Sequence, residues 1–345
     1  MGKTVRLSDI AKKVGVSTVT VSKALSGQKG VSEQKRDEIR KLAADMGYQK
    51  TMVAAGQKKS YTIGVVVPEN LFSGRQSYYW AYFQELSRKA RDRGNLPVLE
   101  VVSEKEQDGS RVPGLIQGGQ VRGIIFLGSF HEKYGKTMVD ATKVPYLFLD
   151  APGIGDGKDS IVTDNLRMAY QLTNYLFSMG HRRIGFIGTR TLTDAIDDRF
   201  LGYIKSLMAH GVQLNPAYVL DDRDPKTGDF NPERYFNIDR EDMPTAYLCS
   251  TDTSASCFAA RLQQDGLTVP KDVSLAGFED FLPDHLYGLQ LTSCRVNLEE
   301  IAEKAVTTLV RKIEGTLYTP GTFEVSGTLS FGSSVKKIGK AVSFV

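Results

Sequence analysis

Apolar residues in the first fifty positions recur at helical spacing. Over Leu7 to Val14, the positions Ile10, Ala11 and Val14 make one inward stripe, Ser8 stands where it can cap the helix, and Gly15 breaks the run. Ser17, a preferred N-cap residue, opens a second segment in which Val21, Ala24 and Leu25 fall at i, i+3 and i+4. That spacing turns Val19, Ser22 and Lys23 to the opposite face, with Thr18 beside them at the amino end. A third helix follows Ser32, with Ile39, Leu42, Ala43 and Met46 at i, i+3, i+4 and i+7. Two short helices joined by a glycine-containing turn, the second exposing such side chains near its start, form the helix-turn-helix arrangement that carries a recognition helix into a major groove.

After Tyr48 and the stretch TMVAAGQKKS the period changes. Strand-like apolar runs at Ile63 to Val67, Val98 to Val102, Gly123 to Leu127 and Tyr146 to Leu149 are separated by helical stretches near Trp80 to Arg91, Arg111 to Gln117 and Glu132 to Thr142. A second set has strands at Ser160 to Thr163, Arg183 to Ile187, Ala246 to Ser250 and Ser274 to Phe278, with helices near Met168 to Met179, Asp198 to His210 and Thr253 to Gln264. Continuous β-branched runs alternating with amphipathic helices predict two α/β halves, each a parallel sheet covered on both faces. The stretch PKTGDFNPERYFNIDREDMP is rich in Gly, Asn and Pro, which argues against a regular helix there.

Charge divides along the same line. Up to Ser60 thirteen Lys and Arg face five Asp and Glu, a net of +8, whereas the 345-residue chain has 44 against 40, a net of +4. The remainder, with 31 basic and 35 acidic residues, is therefore at −4. A basic surface confined to one small domain is expected when that domain neutralises phosphates and the rest must not adhere to DNA. The length suits two or three domains of about 100 to 150 residues. The apolar runs fall short of the roughly 20 residues of a membrane span, and the amino end lacks a signal peptide's apolar core, so a cytoplasmic protein without membrane contact is expected. Cys249, Cys257 and Cys294 show no CxxC and no metal-ligand grouping with the four histidines, and read as reduced thiols.

The run LSDIAKKVGVSTVTVSKALSGQKGVSEQKRDEIRKLAADMGY resembles, nearly position for position, the headpiece of the lactose repressor and galactose repressor family. Further on, TIGVVVP, GIIFLG, LFLD, TDN, MGHRRIGFIG, VPKDVSLAGFED and LTSCRVNLEEIAEKAVTTLVRKIEG match the family's core in order, so the resemblance extends to about Gly315. It implies an N-terminal all-α helix-turn-helix headpiece over 1–49, a hinge or linker over 50–60, and an α/β two-lobed core over 61–345 similar to a type I periplasmic binding protein. The chain of that fold crosses between lobes three times. Crossings near Ile161, Leu291 and Thr322 would give lobe one 61–160 and 292–322, and lobe two 161–291 and 323–345. The candidate DNA contacts are Thr4, Ser17, Thr18, Val19, Thr20, Ser22, Lys23, Lys29 and Gln57. Gln57 stands where the family commonly has a leucine that wedges into the operator, and Gly56 beside it weakens a helix by about 1 kcal/mol relative to Ala.

In open α/β sheets ligands gather beyond the carboxyl ends of the strands. Those positions hold Glu69 and Asn70, Gly128 to Phe130, Asp150, Thr189, Thr251 and Asp252, and Glu279 and Asp280. Carboxylates there can each accept from two hydroxyls while an arginine donates in a fork, which suits a hydroxyl-rich ligand. By resemblance, Arg199 in DDRFLGY matches the family's effector-binding arginine, Glu279 in GFED takes the place of its pocket aspartate, Asp150 matches an acidic pocket position, and Tyr78 and Tyr79 replace its aromatic pair. Thr251 stands where an amide side chain is common. Alternatives remain: Tyr78 or Tyr79 can serve as core, and Asp252, followed by a helix, is equally placed to cap it. Arg199 sits early in a helix, where a cation opposes the dipole and needs an acidic partner or a ligand.

Enzyme motifs are missing. The sequence has no P-loop, no HExxH and no GxSxG, and GIGDG at Gly153 to Gly157 precedes a strand and reads as a linker. The sequence therefore points to a regulator that binds a pseudo-palindromic operator in double-stranded DNA as a homodimer, under the control of a small-molecule effector, a sugar or sugar derivative, with no cofactor, metal or catalytic residue. The competing readings are a small-molecule binding module without DNA function, and a regulator whose core answers to a protein partner.

Overall fold

The computed structural model describes residues 7–26, 30–46, 59–72, 77–108, 111–154, 159–224, 227–236, 238–281 and 288–339. The chain forms two compact units, Met1–Lys58 and Lys59–Val345. Among the described residues no helix is long and apolar enough to cross a membrane.

In the first unit, α1 (Leu7–Val14), α2 (Thr18–Ser26) and α3 (Glu33–Asp45) close a small core of Ile10, Ala11, Val21, Ala24, Ile39 and Ala43. Leu7, Val14, Leu25, Leu42 and Met46 pack around it. The turn after α1 depends on Gly15, whose φ of 71° lets both its own N–H and that of Val16 donate to the Ala11 carbonyl, at 3.0 and 3.1 Å. Ser17 caps α2 by accepting from the Thr20 N–H at 3.1 Å. Ser8, expected before the first helix, lies inside α1, because Leu7 already takes part in that helix and packs on the core.

The second unit contains, in chain order, β1 (Thr62–Pro68), α4 (Tyr78–Asp92), β2 (Leu96–Val102), α5 (Glu104–Asp108), α6 (Gly114–Gln117), β3 (Gly123–Leu127), α7 (Glu132–Ala141), β4 (Tyr146–Leu149) and β5 (Ser160–Thr163). There follow α8 (Asn165–Ser178), β6 (Ile184–Ile187), α9 (Asp194–Ala209), β7 (Val219–Leu220), α10 (Pro232–Tyr235), β8 (Ala246–Cys249), α11 (Asp252–Gln264), β9 (Ser274–Glu279), β10 (Thr292–Arg295), α12 (Leu298–Glu314), β11 (Thr322–Val325) and β12 (Thr328–Ser330). They build two six-stranded sheets, ordered β11-β5-β4-β3-β1-β2 and β12-β10-β9-β8-β6-β7. The ladders are parallel except that between β10 and β12.

Alternation along each strand covers both faces. In the first sheet Val65, Val67, Ile125 and Leu127 face the large central core, while Val66, Ile124, Phe126 and Phe148 meet Tyr134 and Met138 of α7 on the other side. In the second, Phe186, Leu248 and Phe278 join Leu172 and Leu176 of α8 and Tyr203 of α9, and Tyr247, Cys249 and Leu275 meet Phe258 and Leu262 of α11.

The crossings fall later than the sequence predicts. Leu149 pairs with Ile161 and Thr163 with Val325, so β5 belongs to the first sheet and does not begin the second set. Likewise Cys294 pairs with Phe278, which places β10 in the second sheet. The chain therefore crosses after Thr163, after Arg295 and after Val325. A strand leaves its sheet only when its last ladder N–H and C=O groups are paired, and the apolar pattern alone does not reveal with whom. The two-residue β7 was not expected, and of the helix anticipated over Arg111 to Gln117 only 114–117 forms.

Helices α8 and α9 pack closely at Gly202, where an added Cβ would lie 2.2 Å from the Leu166 carbonyl and 2.9 Å from the Ala169 side chain. Since the obstacle is backbone, the helices must part to admit it. Gly202→Ala is expected to lower core stability by about 1 to 3 kcal/mol. Calorimetric unfolding checks this, and an unchanged midpoint would contradict it.

Candidate DNA-reading helix and effector cleft

On α2, Val21 and Ala24 are buried while Thr18, Val19, Ser22 and Lys23 are exposed on the other face. Val19 is 61% exposed, an apolar side chain held in solvent beside a basic one. Thr20 and Ser17 are tied to each other, their hydroxyl oxygens 2.9 Å apart, and so serve the cap. The candidates Thr4, Lys29 and Gln57 lie outside the described residues.

In both sheets the chain order reverses, between β2, β1 and β3 in one and between β7, β6 and β8 in the other, so the carboxyl ends of these strands frame crevices. There the lobes enclose a cavity of about 400 Å³. The first lobe contributes Asn70, Tyr78, Tyr79 and Asp150, and the second Thr193, Arg199, Arg223, Phe230, Thr251 and Glu279. At the rim the Ser129 hydroxyl donates to Asp194 across the lobes at 2.9 Å.

Arg199 is 2% exposed and organises the second lobe's side. Its Nε donates to Asn165 Oδ1 at 2.9 Å, and Nη1 donates to the Ser250 carbonyl at 2.7 Å and lies 3.4 Å from Glu279 Oε1. Its plane rests on Phe278, 4.0 Å from the ring centre. Asp150, 4% exposed, accepts from the Tyr79 hydroxyl at 2.8 Å and the Tyr82 hydroxyl at 3.4 Å. Asp150 and Glu279 both take positive φ, 58° and 103°, unusual for residues with a side chain. Such backbone strain costs on the order of 1 to 3 kcal/mol and concentrates where it aims a side chain at a site.

Asp252 is the exception among the expected effector residues. Its Oδ1 accepts from the Ser293 hydroxyl at 2.7 Å and its Oδ2 from the Phe281 N–H at 2.8 Å, so it fastens the loop after β9 and does not line the cavity. Nor does it cap α11. Thr251 does, accepting from the Ser254 N–H at 3.0 Å. The carboxylate is drawn inward by a backbone N–H that would otherwise lack a partner. Tyr78, Tyr79, Asp150, Arg199, Thr251 and Glu279 all line the cavity.

Arg223 and Phe230 were missed. Arg223 follows the short β7, forks onto Asp222 (Nε to Oδ1 3.1 Å, Nη2 to Oδ2 2.8 Å) and lies over Phe230 at 4.0 Å. The available signal was the acidic-basic pair after a two-residue apolar run, too short to register as a strand.

Among the described residues, Glu104, Asp108 and His131 show metal-ligand proximity. Nε2 of His131 is 3.2 Å from Glu104 and Nδ1 is 3.8 Å from Asp108. Each ring nitrogen thus faces a different carboxylate.

Comparison with known proteins agrees with this anatomy. Residues 6–50 match the bacterial regulatory proteins of the lacI family, and 173–335 match the periplasmic binding protein-like domain. The chain thus carries a lacI-type headpiece followed by a periplasmic binding protein-like domain. Similar proteins include the HTH-type transcriptional repressor PurR of Actinobacillus pleuropneumoniae serotype 3 (strain JL03), 25% identical over 97% of this chain and 99% of that one. The repressor CytR of Escherichia coli (strain K12) is 27% identical over 90% of each. A CelR–cellobiose complex shares the fold with a TM-score of 0.65 at 23% identity, over 96% of this chain and 99% of that one. The lac repressor dimer bound to operator and the anti-inducer ONPF also gives 0.65, at 21% identity over 97% and 100%.

Burial governs the titration of two carboxylates at the strand tips. It pushes Glu279 up to about 8 against the pull of Arg199, and Asp252 up to about 7 against its hydrogen bonds from Ser293 and Phe281. Both groups bind protons more tightly folded than unfolded. Their contribution to stability is therefore whole below the ordinary carboxylate range, near pH 4, and is lost as pH climbs through those values. Glu279→Gln removes one such group, so its stability relative to wild type is expected to rise between about pH 5 and about pH 8.5. A difference that stays flat or falls across that range contradicts the assignment.

Proposed function

We propose that this protein is an operator-binding transcriptional regulator, a repressor acting as a homodimer in the cytoplasm, whose DNA affinity is set by a hydroxylated small molecule in the interlobe cavity. The observation that carries the reading is the presence in one chain of an exposed Thr18, Val19, Ser22 and Lys23 face on α2 and a polar cavity at the strand tips. Val19 suits a thymine methyl and Lys23 suits guanine O6 or N7. A single headpiece touches about half a site, so two-fold pairing doubles the contact and makes the operator pseudo-palindromic. The named relatives are repressors, and the neighbouring structures hold a sugar or an operator, which supports both halves of the reading.

Binding fits the cavity better than catalysis. Its carboxylates are held by tyrosine hydroxyls and Arg199, and burial raises the Cys257 thiol above its ordinary range, the reverse of an activated nucleophile. The ligand acts only through unequal affinity for the lobe arrangements that favour and disfavour DNA.

Operator titration by fluorescence anisotropy tests both halves. Lys23→Ala is expected to cost roughly 1 to 3 kcal/mol on the cognate site and to relax preference at one base pair per half-site. An unchanged base preference would remove Lys23 from the interface. Arg199→Ala is expected to abolish the change in operator affinity that a core-stabilising sugar produces. A response retained at the same ligand concentration would move the effector out of this cleft.

A further inference from the structure

The polar groups that line the cavity are not balanced between donors and acceptors. Arg223 is locked in place: its Nε and Nη2 fork onto Asp222, and Nη2 also donates to Ser254 Oγ at 3.1 Å and lies 3.3 Å from Thr251 Oγ1. Phe230 supports its plane. Nη1 makes no hydrogen bond among the described residues, although the side chain is only 12% exposed and lines the cavity. Arg199 repeats the pattern, with Nε and Nη1 engaged and Nη2 left over. Because Arg199 bonds to Ser250 and Arg223 to Thr251, the two guanidinium groups meet consecutive residues at one strand tip.

Two further features have the same sign. The cavity is lined by Thr251, the N-cap of the thirteen-residue α11, and by Thr253, Ser256 and Cys257 of its first turns, so the positive dipole end of that helix lies at the cavity wall. Tyr78, 8% exposed, adds a buried hydroxyl that can donate to an anion as well as accept from a hydroxyl. Against these donors stand Asp150, already accepting from two tyrosines, Glu279, and the unpartnered Asn70 Oδ1. Burial raises Glu279 to about 8, so much of its negative charge is absent near neutral pH.

We propose that the effector carries an anionic group, a carboxylate or a phosphate, on a hydroxylated body, and that Arg223, Arg199 and the amino end of α11 hold that group. Asn70, Asp150 and Glu279 then accept from the hydroxyls. This rests on the cleft being the effector site and narrows its ligand from sugars in general to sugar acids or sugar phosphates. Asp222 acts as a positioning residue. Its carboxylate, fully buried, stays ionised despite that burial because Arg223, Ser254 and Thr189 favour the charge.

Calorimetric titration of the full chain tests the proposal with D-gluconate, D-glucuronate and D-glucose 6-phosphate as anionic probes and D-glucose as their neutral counterpart. At least one anionic probe is expected to bind more tightly than D-glucose, and the carboxylate and phosphate arms decide between the two groups. Arg223→Gln should weaken that probe about tenfold, the usual cost of one charge-assisted hydrogen bond, and weaken D-glucose by a smaller factor. Arg223→Lys should recover part of the loss. Since Arg223→Gln leaves Asp222 buried beside a neutral group, Asp222→Asn/Arg223→Gln is measured alongside it as a charge-balanced variant, with the same loss expected. The proposal is overturned if D-glucose binds as tightly as every anionic probe, if no anionic probe binds, or if both neutral variants retain wild-type affinity for the anion. D-glucose binding at least as tight as that of every anionic probe, and abolished by Arg199→Ala, would sink this inference and spare the effector cleft.

Discussion

A guanidinium taken out of water is the constraint on which this core depends. Arg199 sits nearly sealed among α8, the tip of β8 and the tip of β9, so each of its contacts there replaces lost hydration. Removing any partner leaves a buried charge short of a bond. The arrangement fixes three strand tips and helix ends relative to one another, and Gly202, three residues along α9, lets that helix approach α8 closely enough to deliver the side chain. Pocket geometry and core packing are therefore one problem: a shift of α9 would move the arginine.

Local order in the sequence was readable where it repeats. The headpiece helices follow from stripes such as Ile10, Ala11 and Val14, and the sheets from runs such as those of β1 and β9, because period and burial act over neighbouring residues. Strand-tip positions pointed to Asp150, Thr251 and Glu279 for the same reason. What escaped depends on distant partners. Nothing near Asp252 in the chain says that Phe281 N–H and Ser293 will claim its carboxylate while Asp150, at an equivalent tip, stays in the cavity. Arg223 lies in a stretch without periodicity, and its place is set by Asp222, Ser254 and a facing phenylalanine seven residues later. The lobe boundaries erred by a few residues because pairing partners, not apolarity, decide where a strand belongs.

The cleft also joins the two lobes. Its walls come from both lobes, linked at the rim by Ser129 and Asp194, while Asp150 and Glu279 are held in strained backbone at the tips of facing sheets. A ligand that satisfies the leftover donors and acceptors from both sides favours the lobe arrangement in which both can reach it, and the free energy available for switching is the difference between arrangements, not the total affinity.

The central claim is a thermodynamic coupling between this cavity and DNA, and coupling is reciprocal. The most direct test is the affinity of a core-binding sugar or sugar acid for the full chain, measured calorimetrically with and without saturating operator. The account predicts that operator changes ligand affinity by the same factor by which the ligand changes operator affinity. Identical ligand affinity in the two titrations would contradict it.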